Sequence, residues 1–114
     1  MSLGTRFNSL SLTIANGAQT SNSSRTGFKA TPVAVIFPAA MTGTGITFEV
    51  TDDGTNWYPV YNSSGTLITI TKVNGAYHTL NTLDFAGVQE VRIKSSGNEG
   101  ADRVFKLICR PMYQ

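Results

Sequence analysis

The sequence predicts an all-β protein: a single antiparallel β-sandwich, jelly-roll-like or immunoglobulin-like, of about seven or eight strands. Three observations carry that expectation. Helical periodicity is almost absent, and apolar residues instead alternate with polar ones over short runs. Gly, Asn, Asp, Ser and Pro punctuate those runs at close intervals, leaving room only for short connections and hence antiparallel order. Charged residues make up 14% of the chain, against about 25% in an average globular domain. An uncharged but polar surface of this kind is cheap to desolvate against other protein.

Taken in order, "LSLTI" sets Leu10, Leu12 and Ile14 on one face. The polar segment 16–27, "NGAQTSNSSRTG", has the composition of a loop or disordered link, so residues 1–29 are expected to form an extended or flexible arm. Residues 30–114 form the expected sandwich. "PVAVIFP" places Val33, Val35 and Phe37 on one face, with Pro32 and Pro38 as edge stops. Ile46, Phe48 and Val50 follow as a strand, answered by the run from Trp57 to Tyr61. "NSSG" and "NGAY" are turns on either side of "TLITITKV". "HTLNTLDFAGV" has room for one short helical turn, capped by Asn81 or Thr82. "QEVRIKS" and "RVFKLICRPMY" close the domain around the loop "SGNEGAD".

The stretch "ITFEVTDDGTNWYPVY" is where chemistry would most readily be sought. Adjacent Asp52 and Asp53 point apart in an extended chain, and no acid follows until Asp84, which is poor spacing for calcium. The structural reading uses more of the residues. Asp52 or Asp53 accepts backbone N–H groups across a turn, Gly54 takes positive φ, and Trp57 faces the core and clasps the hairpin. A rival reading makes Trp57 or Tyr58 a sugar platform, which requires an exposed ring beside a polar groove.

Catalysis is not expected. His78 is the only histidine, and with Asp84 it forms the only pair worth mutating. No nucleophile elbow, zinc-protease motif or phosphate loop occurs. Glu90, Glu99 and Asp102 lie beside Arg92, Lys94 and Arg103, so cross-strand pairing accounts for them. The lone Cys109 alternates with Phe105 and Leu107 as a small core residue. No cofactor and no metal are expected. A net charge of +2 implies neither a nucleic-acid nor a membrane partner. No secretory signal or membrane span is visible, so synthesis and folding in a reducing cytoplasm are expected. Residues 1–48 hold Arg6, Arg25 and Lys29 and no acid, which reads as a few solvated charges on a flexible arm or, alternatively, as an arm lying on an acidic protein surface.

From Val33 onward, "VAVIFPAAMTGTGITFEVTDDGTNWYPVYNSSGT", "LDFAGVQEVRIKSSG" and "ADRVFKLICRPMY" resemble, in order, a group of small proteins encoded in tailed-phage and prophage genomes. The resemblance implies a virion structural protein made in the host cytoplasm, with capsid decoration (cement) proteins the closest analogy. The implied partner is the major capsid protein, and the implied assembly is a homo-oligomer, a trimer by expectation. Arg6, Arg25 and Lys29 are the expected capsid contacts. A tail, baseplate or fibre component is the structural alternative, and a carbohydrate-binding module is the alternative of another class.

Overall fold

The computed structural model describes residues 8–26, 30–86 and 88–111. Two antiparallel sheets face each other across one core. The first contains β1 (Asn8–Ile14), β3 (Ala30–Ile36), β7 (Tyr77–Thr79) and β9 (Arg103–Pro111), in the order β1-β9-β3-β7. The second contains β2 (Ser24–Arg25), β4 (Gly45–Thr51), β5 (Tyr58–Pro59), β6 (Thr69–Thr71) and β8 (Glu90–Ser95), in the order β2-β8-β4-β5, with β6 also paired to β4. The chain therefore passes from one sheet to the other at β1/β2, β2/β3, β3/β4, β6/β7, β7/β8 and β8/β9. That double wrapping is a jelly roll, not an immunoglobulin arrangement.

Alternation builds the core as the sequence implies. Leu12, Phe105, Leu107 and Val35 point inward from the first sheet, and Ile46, Phe48, Val91 and Ile93 point inward from the second. Phe105 meets Phe37 edge-on at 5.4 Å, and Phe85 meets Phe48 edge-on at 5.1 Å. Such pairs add about 0.5–1.5 kcal/mol each beyond the area they bury. Phe85 arrives on the 3₁₀ turn Thr82–Phe85, whose cap is Asn81, its side chain accepting the Leu83 N–H at 3.1 Å. Cys109 is wholly buried, and burial pushes its thiol up to about 11, so it packs without reacting.

Two expectations fail here. Residues 8–26 are not an arm. β1 pairs along its whole length with β9 and contributes Leu12 and Ile14 to the core. The polar segment after it is tied down residue by residue. The Ser21 N–H donates to the Ile93 carbonyl at 2.8 Å, and the Ile93 N–H donates back to Ser21 Oγ at 2.9 Å. Thr26 Oγ1 donates to the Val88 carbonyl at 2.7 Å. Hydroxyl-rich composition reads as a linker, but those hydroxyls satisfy backbone groups where the chain crosses between sheets. Second, Pro32 is not an edge stop. It lies in a central strand, at a register shift where β3 pairs with β9 and β7 does not reach, so its missing N–H costs no ladder bond.

One end of the sandwich is closed by Glu99, which is almost completely buried. Its carboxylate accepts the Thr42 N–H (2.7 Å), the Gly43 N–H (2.9 Å), the Ser95 hydroxyl (2.7 Å) and the Arg103 guanidinium (3.0 Å). Its own backbone bonds both ways to the β1–β2 loop, through Gly17 N–H and the Ala18 carbonyl. Burial pushes the carboxyl up, but the Thr42 amide, Ser95, the Gly43 amide and Arg103 together outweigh it and hold it down at about 2. A Cβ at Gly43 would collide with Ser95 Oγ and press on Glu99 Oε2, so only glycine lets the loop approach this closely.

Because the folded carboxyl sits below its ordinary value of 4.5, its stabilisation is fully present above that pH. It is lost as pH falls towards about 2. Glu99→Gln, which puts an amide donor among donors, is expected to cost about 2–4 kcal/mol at neutral pH. Denaturant titrations at several pH values should show the deficit shrinking below pH 4.5 and closing near pH 2. A deficit independent of pH would contradict the charge-based account.

Candidate functional site

The strand periodicity that fills the core also fixes two outer faces, which differ in chemistry. On the four-stranded sheet, register places Ser9, Ser11 and Thr13 of β1 beside Ile108, Lys106 and Val104 of β9. Ala34 and Ile36 of β3 lie on the far side of β9, followed by Thr79 and Tyr77 of β7. Val104 and Tyr77 are about half exposed. Lys106 is the charged residue at these strand positions, and no carboxylate occurs among them. The result is a face of hydroxyls and aliphatic groups with a slight positive charge.

The five-stranded sheet presents a groove instead. Its floor is Gly45 and Thr47 of β4, flanked by Thr69 and Thr71 of β6. Pro59, Tyr61 and Leu67 form one wall, and Lys94 and Ser96 the other. The first wall is a hairpin closed at Tyr61 and Leu67. Its tip is built by Asn62, whose side-chain oxygen accepts the N–H groups of Ser64 and Thr66. The groove holds about 510 Å³, inside the usual range of about 300–1,000 Å³ for ligand sites.

Next to the groove, Arg92 holds Glu49 Oε1 at 2.7 Å and lies 4.2 Å from the centre of the Trp57 ring. Trp57 is thus on the outside of the sheet and does not clasp the core. The reason is register. Pro59 pairs with Glu49, so Trp57, two residues earlier, shares Glu49's outward face. The turn that sets this register is as expected in kind. Asp53 Oδ1 accepts the N–H groups of Thr55 and Asn56, both at 2.8 Å, and Gly54 has φ of 80°. Those amides, with the Asn56 side chain, hold the Asp53 carboxyl far below its ordinary value. Asp52 is exposed and takes no part in these bonds.

The remaining candidate residues are scattered. Arg25 is exposed on β2, backbone-paired with Glu90; Arg6 and Lys29 lie outside the described residues. Arg92 pairs with Glu49 on the neighbouring strand, while Glu90 accepts the Ser23 hydroxyl and Asp102 accepts the Asn16 N–H. His78 points inward and stacks at a tilt on Phe37, with ring centres 5.3 Å apart. No hydrogen bond or ion pair joins it to Asp84 among the described residues. No cluster of three or more His, Cys, Asp or Glu occurs among them, and no helix is long and apolar enough to cross a membrane. Sequence reasoning missed the groove, because its floor and walls come from four separate strands. It also missed the role of Glu99, for which the flanking glycines in "GNEGAD" were a usable signal of a tight loop.

Arg92→Ala removes a partly buried ion pair and the cation over the indole together. It is expected to cost about 1–2 kcal/mol and to shift Trp57 fluorescence to the red. Unchanged emission would mean that Arg92 does not shield Trp57 in solution. The chain matches no protein-family model, no curated protein and no solved structure.

Proposed function

We propose that this chain is a non-enzymatic structural component of a tailed-phage virion, a decoration (cement) protein that binds the outer surface of the head and stabilises the shell. The observation that carries the proposal is the outer face of the four-stranded sheet. Ser9, Ser11, Thr13, Ile36, Thr79, Val104 and Ile108 can be buried against protein without stripping water from a carboxylate. Lys106 biases that face towards an acidic partner, here the major capsid protein.

Other features support the same reading. The motifs from Val33 to Tyr113 resemble small phage and prophage proteins, and the jelly roll is an arrangement shared by viral capsid and lectin domains. Fold alone does not assign a role. The use made of the acids adds weight: Glu49, Asp53, Glu90, Glu99 and Asp102 all hold structure together. Repetition over a symmetric shell, with the protein as a trimer at symmetry axes, would multiply a modest contact into stable attachment. An extended arm spanning residues 1–29 is not part of this reading, since residues 8–26 belong to the sandwich; Arg6 and Lys29 lie outside the described residues.

The test is the copy number in purified virions of the encoding phage, by mass spectrometry against the major capsid protein. Copies in a simple ratio to capsid subunits, with faster heat rupture of heads lacking the protein, are the expected result. A small fixed number per particle would move the protein to the tail, baseplate or fibre. Complete absence would overturn a virion role.

A further inference from the structure

The groove on the five-stranded sheet has a chemistry that attachment to a shell does not use. From the register, Thr47 stands between Thr69 on β6 and Lys94 on β8. With neighbouring strands about 4.8 Å apart, three hydrogen-bonding side chains stand abreast in a row about 10 Å long. The side chains of Thr47 and Lys94 bond to no other described residue. Glu49, which also lines the groove, gives one oxygen to Arg92 and keeps the other as an acceptor. Along one side stand Tyr61, about half exposed, and Leu67, its partner across the hairpin. The tip of that hairpin is braced by Asn62, so the backbone that carries this wall is built.

We propose that this groove binds a saccharide. A sugar ring has an apolar C–H face and a rim of hydroxyls, and each half finds its counterpart here. The C–H face lies on the Tyr61 ring and Leu67, while the hydroxyls meet Thr47, Thr69, Lys94 and Glu49. An apolar ligand would leave the row of polar groups unpaired, which disfavours it. A phosphate-rich ligand would face the Glu49 carboxylate with Lys94 as the nearest unpaired cation. The site is not the tryptophan platform that the sequence suggested, because Arg92 already occupies the Trp57 face. Since the groove lies on the sheet opposite the proposed shell contact, a head-bound protein would hold it towards the medium, where bacterial surface polysaccharides are met.

The experiment is a glycan array of neutral and acid-bearing bacterial-type oligosaccharides, followed by calorimetric titration of any sugar bound. It uses the full chain and the variants Tyr61→Ala, Thr47→Val and Tyr58→Ala, each checked for an unchanged circular dichroism spectrum and melting. Tyr58 lies outside the groove and serves as the control. Saturable binding of at least one sugar is expected. Kd should weaken by about tenfold or more in Tyr61→Ala and Thr47→Val, and by less than about twofold in Tyr58→Ala. Thr47→Val preserves shape, so it decides the matter if Tyr61→Ala proves unstable. No saturable binding to any sugar overturns the proposal, as does binding that survives both groove substitutions. A negative array leaves the virion copy number untouched, so the two readings fail separately.

Discussion

The structure depends on one buried carboxylate. A jelly roll leaves its inter-sheet loops crowded at the ends of the sandwich, where backbone amides must be buried without ladder partners. At one end Glu99 accepts the amides of Thr42 and Gly43 from the β3–β4 loop, the hydroxyl of Ser95 at the end of β8, and Arg103 at the start of β9. Its main chain fixes the β1–β2 loop through Gly17 and Ala18. Three crossings between the sheets thus converge on one residue. A neutral side chain could not accept from so many donors at once, and an exposed carboxylate would gain little from them.

With that end fixed, the two sheets present two outer faces that can be used independently. One is without carboxylates at its strand positions, from Ser9 across Lys106 to Tyr77. The other is concave, walled by a braced hairpin and floored by Thr47. Burial against protein favours the first, and recognition of a hydroxylated ligand favours the second. A particle protein that used both would be held by one sheet and would present the other.

Much of the fold was legible because period-two alternation is a direct consequence of strand geometry. Leu10, Leu12 and Ile14, or Phe105, Leu107 and Cys109, could face inward together only on strands. The cap at Asn81 was legible for the same local reason. What failed was non-local. Nothing within residues 16–27 says that Ser21 and Thr26 will bond to Ile93 and Val88, so an ordered crossing read as a linker. The direction of Trp57 depends on which residue pairs with Pro59, and one step of register reverses it. The groove required the neighbours of β4 to be known, and strand order is not written in any single stretch.

In the proposed arrangement the four-stranded sheet meets the particle while the groove looks outward. Lysine footprinting of the protein, free and on intact virions, distinguishes the two faces, because Lys106 lies on the outer face of the four-stranded sheet and Lys94 in the groove. Amine-reactive labelling followed by mass spectrometry should show Lys106 protected on the particle and Lys94 labelled as in the free protein. Protection of Lys94 with Lys106 still reactive would reverse the orientation and contradict the account.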